Sequence, residues 1–163
     1  MRAAGADSAE VRAALRRLCA VPLPPDAAEL PDELFDAVDD FIAAHGADDI
    51  AEPVARAVHA GWATAGQGAV FLNVAAWSGT DNGTSMKLTL DDWVRHSDDP
   101  VRLHLALHHE AYPLPTAAEM RVALTAIAER HPRFRDVCRR HLEERRPDGQ
   151  QVASAGGSTP VDR

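Results

Sequence analysis

The sequence predicts a mainly α fold, a compact bundle of five to six helices with a small β-hairpin over residues 69–90. Three observations carry this. Apolar residues recur at i, i+3, i+4 and i+7 along several segments, as in Val11, Ala14, Leu15 and Leu18. Asp7/Glu10, Asp49/Glu52 and Thr116/Glu119 have the spacing of capping boxes, in which each end of the pair satisfies a free amide of a first helical turn. Pro22, Pro31, Gly46, Pro100, Pro113 and Pro132 punctuate the chain where one stripe ends or the next begins.

The first helix is expected over Ala9 to Ala20 and stops at Pro22. The segment 22–31 is proline-rich and reads as a stiff, ordered strap. A second helix opens near Pro31, buries Leu34, Phe35, Val38, Phe41 and Ile42, and ends at Gly46. The third begins at Asp49, carries the stripe Ile50, Val54, Val58, Gly61, Trp62 and Ala65, and closes at Gly66-Gln67-Gly68. AVFLNVAAW (69–77) is rich in β-branched and aromatic residues, SGTDNGTS (78–85) in turn formers, and MKLTL (86–90) alternates; together they predict the hairpin. A short buried helix over 69–77 is the rival reading. A short helix LDDWVRH follows, and Asp99-Pro100 starts another over 100–111. Met120, Ala123, Leu124 and Ile127 mark a helix reaching Arg130, and Pro132 opens the last one, with Phe134, Val137, Cys138 and Leu142 inward. One globular domain, 1–146, is therefore expected, followed by a disordered tail, 147–163, whose Gly, Ser, Pro and Gln lack any hydrophobic period.

The formal net charge is −8, which argues against general nucleic-acid binding. Residues 1–100 carry 7 basic and 17 acidic side chains, a net of −10; residues 101–163 carry 10 and 8, a net of +2. Sixteen Arg against one Lys, with abundant Ala, is the pattern of a GC-rich bacterial coding sequence, so the Arg preference says little about anion recognition. Cys19 and Cys138 lie on apolar stripes without metal-ligand spacing and read as buried thiols in a reducing compartment. No secretory leader or stretch of bilayer-spanning length is present, which gives a cytoplasmic expectation with no membrane association.

The chemistry-bearing candidates start with the histidines. His45, His96 and His131 fall where helices end, where a cation or donor complements the last carbonyls, and His59 falls on a solvated face. His104 and His108 are four apart in VRLHLALHHEAY. On a helix they share a face within an apolar arc, the geometry that lets two imidazoles hold one divalent metal, with His141 as third ligand. His109 and Glu110 then lie on the far face. On a strand the pair would be about 13 Å apart and face water. Leu and Ala content and Asp99-Pro100 favour helix. No Glu lies between the two histidines as a zincin motif requires, and a structural pair is the commoner outcome. No cofactor is expected. In the 78–85 loop, Asp81, Asn82, Thr84 and Ser85 offer polar groups beside Gly79 and Gly83, but no phosphate-loop pattern. Neither a nucleophile elbow nor a dinucleotide fingerprint is present.

Absence of a complete catalytic signature, together with charge segregation, predicts a non-enzymatic protein-interaction or regulatory module with a protein partner or self-association. Its contact would be the acidic second helix (Asp32, Glu33, Asp36, Asp39, Asp40) or the Arg-rich 130–146 segment, which nets +4. The alternative is a small enzyme, a tailoring enzyme or hydrolase, with His104, His108, Asp81 and Asn82 around one site. A third reading is a small-ligand carrier with an apolar pocket lined by Trp62, Trp77 and Trp93. A pocket joining His104 and His108 to Asp81 or His141 would favour the enzyme; singly hydrogen-bonded histidines would favour the interaction module.

Overall fold

A computed structural model describes residues 8–25, 29–46, 49–79 and 81–145. Among the described residues lie eight α-helices, one 3-10 turn and no strand. The mainly α expectation holds, but the helices outnumber the expected five to six and there is no hairpin. Asp7 and the expected tail, 147–163, lie outside the described residues.

Helix α1 (Ala9–Cys19) buries the expected stripe, and its cap is Ser8, whose Oγ accepts from the Val11 amide at 3.2 Å. Helix α2 (Asp32–His45) buries Leu34, Val38 and Phe41 and ends at Gly46, whose φ of +96° suits a residue without Cβ. Helix α3 (Ala51–His59) is shorter than its stripe implied. Gly61, at φ +76°, turns the chain, and the Trp62 amide reaches back to the Ala57 carbonyl at 3.0 Å. Asp49 and Glu52 form no capping box: the Asp49 carboxylate accepts from Thr89 Oγ1 at 2.9 Å, and Glu52 pairs with Arg102 at 2.7 Å.

The largest correction concerns residues 65–96. Helix α4 spans Ala65–Ser78, and α5 spans Thr84–His96. Gly66-Gln67-Gly68 opens α4 rather than closing α3. Thr64 Oγ1 accepts from the Gln67 amide at 3.1 Å, and the Thr64 amide donates to Gln67 Oε1 at 2.8 Å, a reciprocal capping box. Phe71, Leu72, Val74 and Ala75 are all buried. Burying Phe71 and Leu72 stabilises by roughly 1.5–3 kcal/mol each, which outweighs the strand preference of a Val/Phe-rich run. Helix α6 (Pro100–Leu107) starts as expected, with Asp99 Oδ1 accepting from the Val101 amide at 3.0 Å, but ends four residues early. Helix α7 (Ala117–Arg130) is capped by Thr116, which accepts from the Glu119 amide at 3.2 Å as the spacing predicts. Pro132–Phe134 forms the 3-10 turn leading into α8 (Arg135–Glu144).

Helices α4 and α6 are the middle of the bundle. Helix α4 packs on α2, α3 and α6, while α6 also meets α3 and α5; α1 covers α2, and the α7–α8 pair joins through α5. Gly68 permits the closest approach. A Cβ there would stand 2.9 Å from Leu105 Cδ2, 3.1 Å from Val58 Cγ2 and 3.3 Å from Val54 Cγ1. No described helix is long and apolar enough to cross a membrane.

Candidate functional site

A cleft of about 390 Å³ lies between α4, α5 and the turn that follows α6. Asn73 and Trp77 come from α4, Lys87 and Leu88 from α5, Asn82 from the connection between them, and His109 from the turn. The turn exists because α6 stops at Leu107: the His108 amide still reaches the His104 carbonyl at 3.1 Å, after which the chain leaves the helix. Asn73 then bridges it, Nδ2 donating to the His108 carbonyl at 3.4 Å and Oδ1 accepting from the Glu110 amide at 3.0 Å. Further along, Leu114 adopts φ +67°, a left-handed conformation unfavourable for a branched residue. Its amide donates to the buried Asp91 carboxylate at 2.9 Å, which also takes the Lys87 ammonium. At the far end Arg145 donates to the Pro115 carbonyl at 2.6 Å and the Tyr112 hydroxyl to the Glu144 carbonyl at 3.2 Å.

His109, expected on a far helix face, is instead buried and lines this cleft. Its Nδ1 accepts from the Ala111 amide at 3.2 Å, and its Nε2 is buried with no hydrogen-bond partner among the described residues. Burial lowers its pKa, assisted by the charge of Lys87. The early end of α6 explains the miss. A continuous helix to 111 would have put His109 opposite the Leu103–Leu107 face; a change in composition marks no such break.

The candidates of the enzyme reading are not gathered in this cleft. His104 and His108 are on one face, their rings stacked 3.9 Å apart and 15° from parallel. His108 is exposed, however, and its Nδ1 donates to the His104 carbonyl at 2.9 Å. His104 is half-buried; burial, then the neighbouring His108 and Arg133, push its pKa down to about 4. His141 is buried with Nε2 donating to the Leu107 carbonyl at 2.7 Å. Among the described residues, no group of three His, Cys, Asp or Glu side chains is placed to hold a metal ion. Asp81 serves α5: its carboxylate accepts from the Gly83 amide at 3.0 Å and the Ser85 amide at 2.9 Å, and the Ser85 bonds lower its pKa. Of the named candidates, Asn82, exposed at φ +51°, and Thr84 border the cleft.

The remaining histidines lie at helix ends, where His45 meets a carbonyl but His96, His131 and His59 face carboxylates. His45 Nδ1 lies 3.0 Å from the Gly46 carbonyl oxygen, His96 pairs with Asp92 at 2.9 Å, and His131 sits 3.6 Å from Asp98. His59 is exposed and pairs with Asp99 at 2.6 Å. The three tryptophans do not share a pocket. Trp93 is in the core, Trp62 lies under the Arg16 guanidinium at 4.2 Å, and Trp77 is 83 % exposed. A second groove, of about 270 Å³, runs along the α2 side of Trp77, past Leu30, Phe35, Val70 and Val74. Cys19 and Cys138 are free thiols, each raised by burial to about 11. No family model, curated protein or solved structure matches the chain.

Proposed function

We propose that the chain is a protein-interaction module that docks a basic amphipathic helix of a partner protein in the groove between α2 and α4. Trp77 is the observation that carries this reading. An indole left 83 % exposed near the end of a helix that buries Phe71, Leu72 and Val74 adds nothing to the core, and aromatic residues dominate the energetics of protein contacts. Phe35, 43 % exposed, shares the groove with it, and Leu88 extends the apolar surface beyond. An apolar trough of this kind takes the apolar face of a helix.

The rim sets the partner's charge. Asp32, Asp36 and Asp39 are exposed on α2 within a turn of Phe35, and Glu110 borders the groove. Lys and Arg flanking the apolar stripe of the incoming helix would meet these carboxylates, which accelerates encounter and rejects acidic competitors. The Arg-rich α8 offers the opposite sign, and its Arg139 is partly engaged by Asp136 at 3.3 Å. It lacks an exposed aromatic, so the α2–α4 face is the stronger contact.

A photo-crosslinking residue placed at position 35 in the host cell tests this. The expected result is an adduct whose linked peptide is basic and amphipathic, and which disappears in an Asp36→Arg/Asp39→Arg background. An adduct only with a second copy of the chain, or one indifferent to the charge reversal, would overturn it.

A further inference from the structure

The wall of the cleft on the other side of Trp77 holds, just beneath its surface, a donor with no acceptor among the described residues. A backbone amide only donates, so the contact from the Ala111 amide assigns His109 Nδ1 as an acceptor. Burial and Lys87 both disfavour the charged ring, so it is neutral at neutral pH. Its single proton therefore sits on Nε2, a buried N–H without an acceptor among the described residues, in a side chain only 8 % exposed. Native structures rarely leave such a donor unsatisfied.

We infer that this cleft binds a small, neutral molecule with a flat apolar body and a carbonyl oxygen, an aryl amide or aryl ketone, whose oxygen accepts from His109 Nε2. The walls supply the selectivity. Ala76, Trp77, Leu88 and Ala111 offer apolar surface to a planar body. Lys87 is already matched by Asp91 and Glu110 stands at the edge, so a carboxylate ligand meets a like charge with no free cation to offset it, and an ammonium has no lone pair with which to accept from His109 Nε2. Neutrality is what remains. The exposed Asn82 amide and Thr84 hydroxyl provide further polar contacts at the rim. At about 390 Å³ the cleft falls in the range of small-molecule sites. His109 Nε2 is closed off from water, so the carbonyl reaches it by moving a side chain of the cleft wall aside. The site is separate from the helix-docking groove, and the two share only the Trp77 wall with Asn73 and Glu110.

Nitrogen-15 NMR of the full chain, titrated with N-methylbenzamide, benzoate and benzylammonium, tests it. N-methylbenzamide is expected to shift the Trp77 indole and His109 Nε2 resonances and to bind at least roughly tenfold more tightly than either charged analogue. His109→Phe, which keeps the ring and removes the donor, is expected to weaken it by a similar factor. Equal binding of benzoate, equal binding by a folded His109→Phe chain, or no shift at His109 overturns the inference. So does a wild-type ring spectrum with the proton on Nδ1, which needs no variant to fold. Asp36→Arg/Asp39→Arg leaves amide binding unchanged, so loss of helix docking and loss of this site are separately visible.

Discussion

The buried carboxylate of Asp91 accepts the backbone amide of Leu114 at 2.9 Å, across the boundary between α5 and the irregular segment before α7. That bond is made with Leu114 in its left-handed conformation and ties the segment after the cleft to α5. Asp91→Ala strands the amide and the Lys87 ammonium together, and is expected to cost about 2–4 kcal/mol in urea denaturation. Asp91→Asn keeps an acceptor for Leu114 and is expected to cost about half as much.

Gly68 sets the spacing of α4 against α3 and α6. Gly68→Val forces a branched side chain against Leu105, Val58 and Val54 and is expected to destabilise by about 1–3 kcal/mol. In Gly68→Ala the gain in helix propensity offsets a methyl 2.9 Å from a Leu105 methyl that can rotate away, leaving the stability within about 1 kcal/mol of wild type. Thermal and chemical denaturation of the two variants check the contrast.

His104 makes the fold acid-sensitive in a defined window. Its pKa in the folded chain is about 4, below the ordinary 6.5, so the unfolded chain binds more protons between those values. Stability is therefore undiminished above pH 6.5 and falls as pH drops toward 4. His104→Gln is expected to flatten this slope, gaining roughly 2–4 °C in melting temperature relative to wild type at pH about 4.5. Half-exposure of the ring keeps the effect modest.

Trp77→Ala removes side-chain surface that the core does not use. Its stability is expected to stay within about 0.5 kcal/mol of wild type while partner crosslinking from position 35 is lost. Calorimetry alongside the crosslinking assay separates a contact residue from a structural one.

Thr64→Ala is expected to cost about 0.5–2 kcal/mol by removing the cap of α4, measurable by urea denaturation. The same residue shows what the sequence disclosed and what it concealed. The Thr64–Gln67 pair was a readable helix start, but Gly66 and Gly68 on either side of Gln67 resemble a stop, and a local rule chose the stop. Beyond it, AVFLNVAAW carries no one-sided period because α4 packs on α2, α3 and α6 and its open face carries Val70 and Trp77; apolar residues all round erase the amphipathic signal. Where a helix has one wet face, as α1 and α2 do, the stripes were legible, save for Phe35, which the α2 stripe places inward and the structure leaves 43 % exposed, and Ile42, which is only partly buried. The site was less so. Asn82 was visible as a turn residue, but the burial of His109 depends on where α6 stops, and that depends on Asn73, distant in sequence, gripping the turn. The metal-like spacing of His104 and His108 was real in geometry, yet the two rings spend their proximity on each other.

With both thiols raised to about 11, on the order of one in ten thousand is thiolate at neutral pH, and thiolate is the reactive species. Alkylating dyes should therefore pass over Cys19 and Cys138 in the native chain. A cysteine introduced at exposed position 77 would carry a fluorophore alone, giving a single-site reporter beside both grooves without first stripping the native sulfurs.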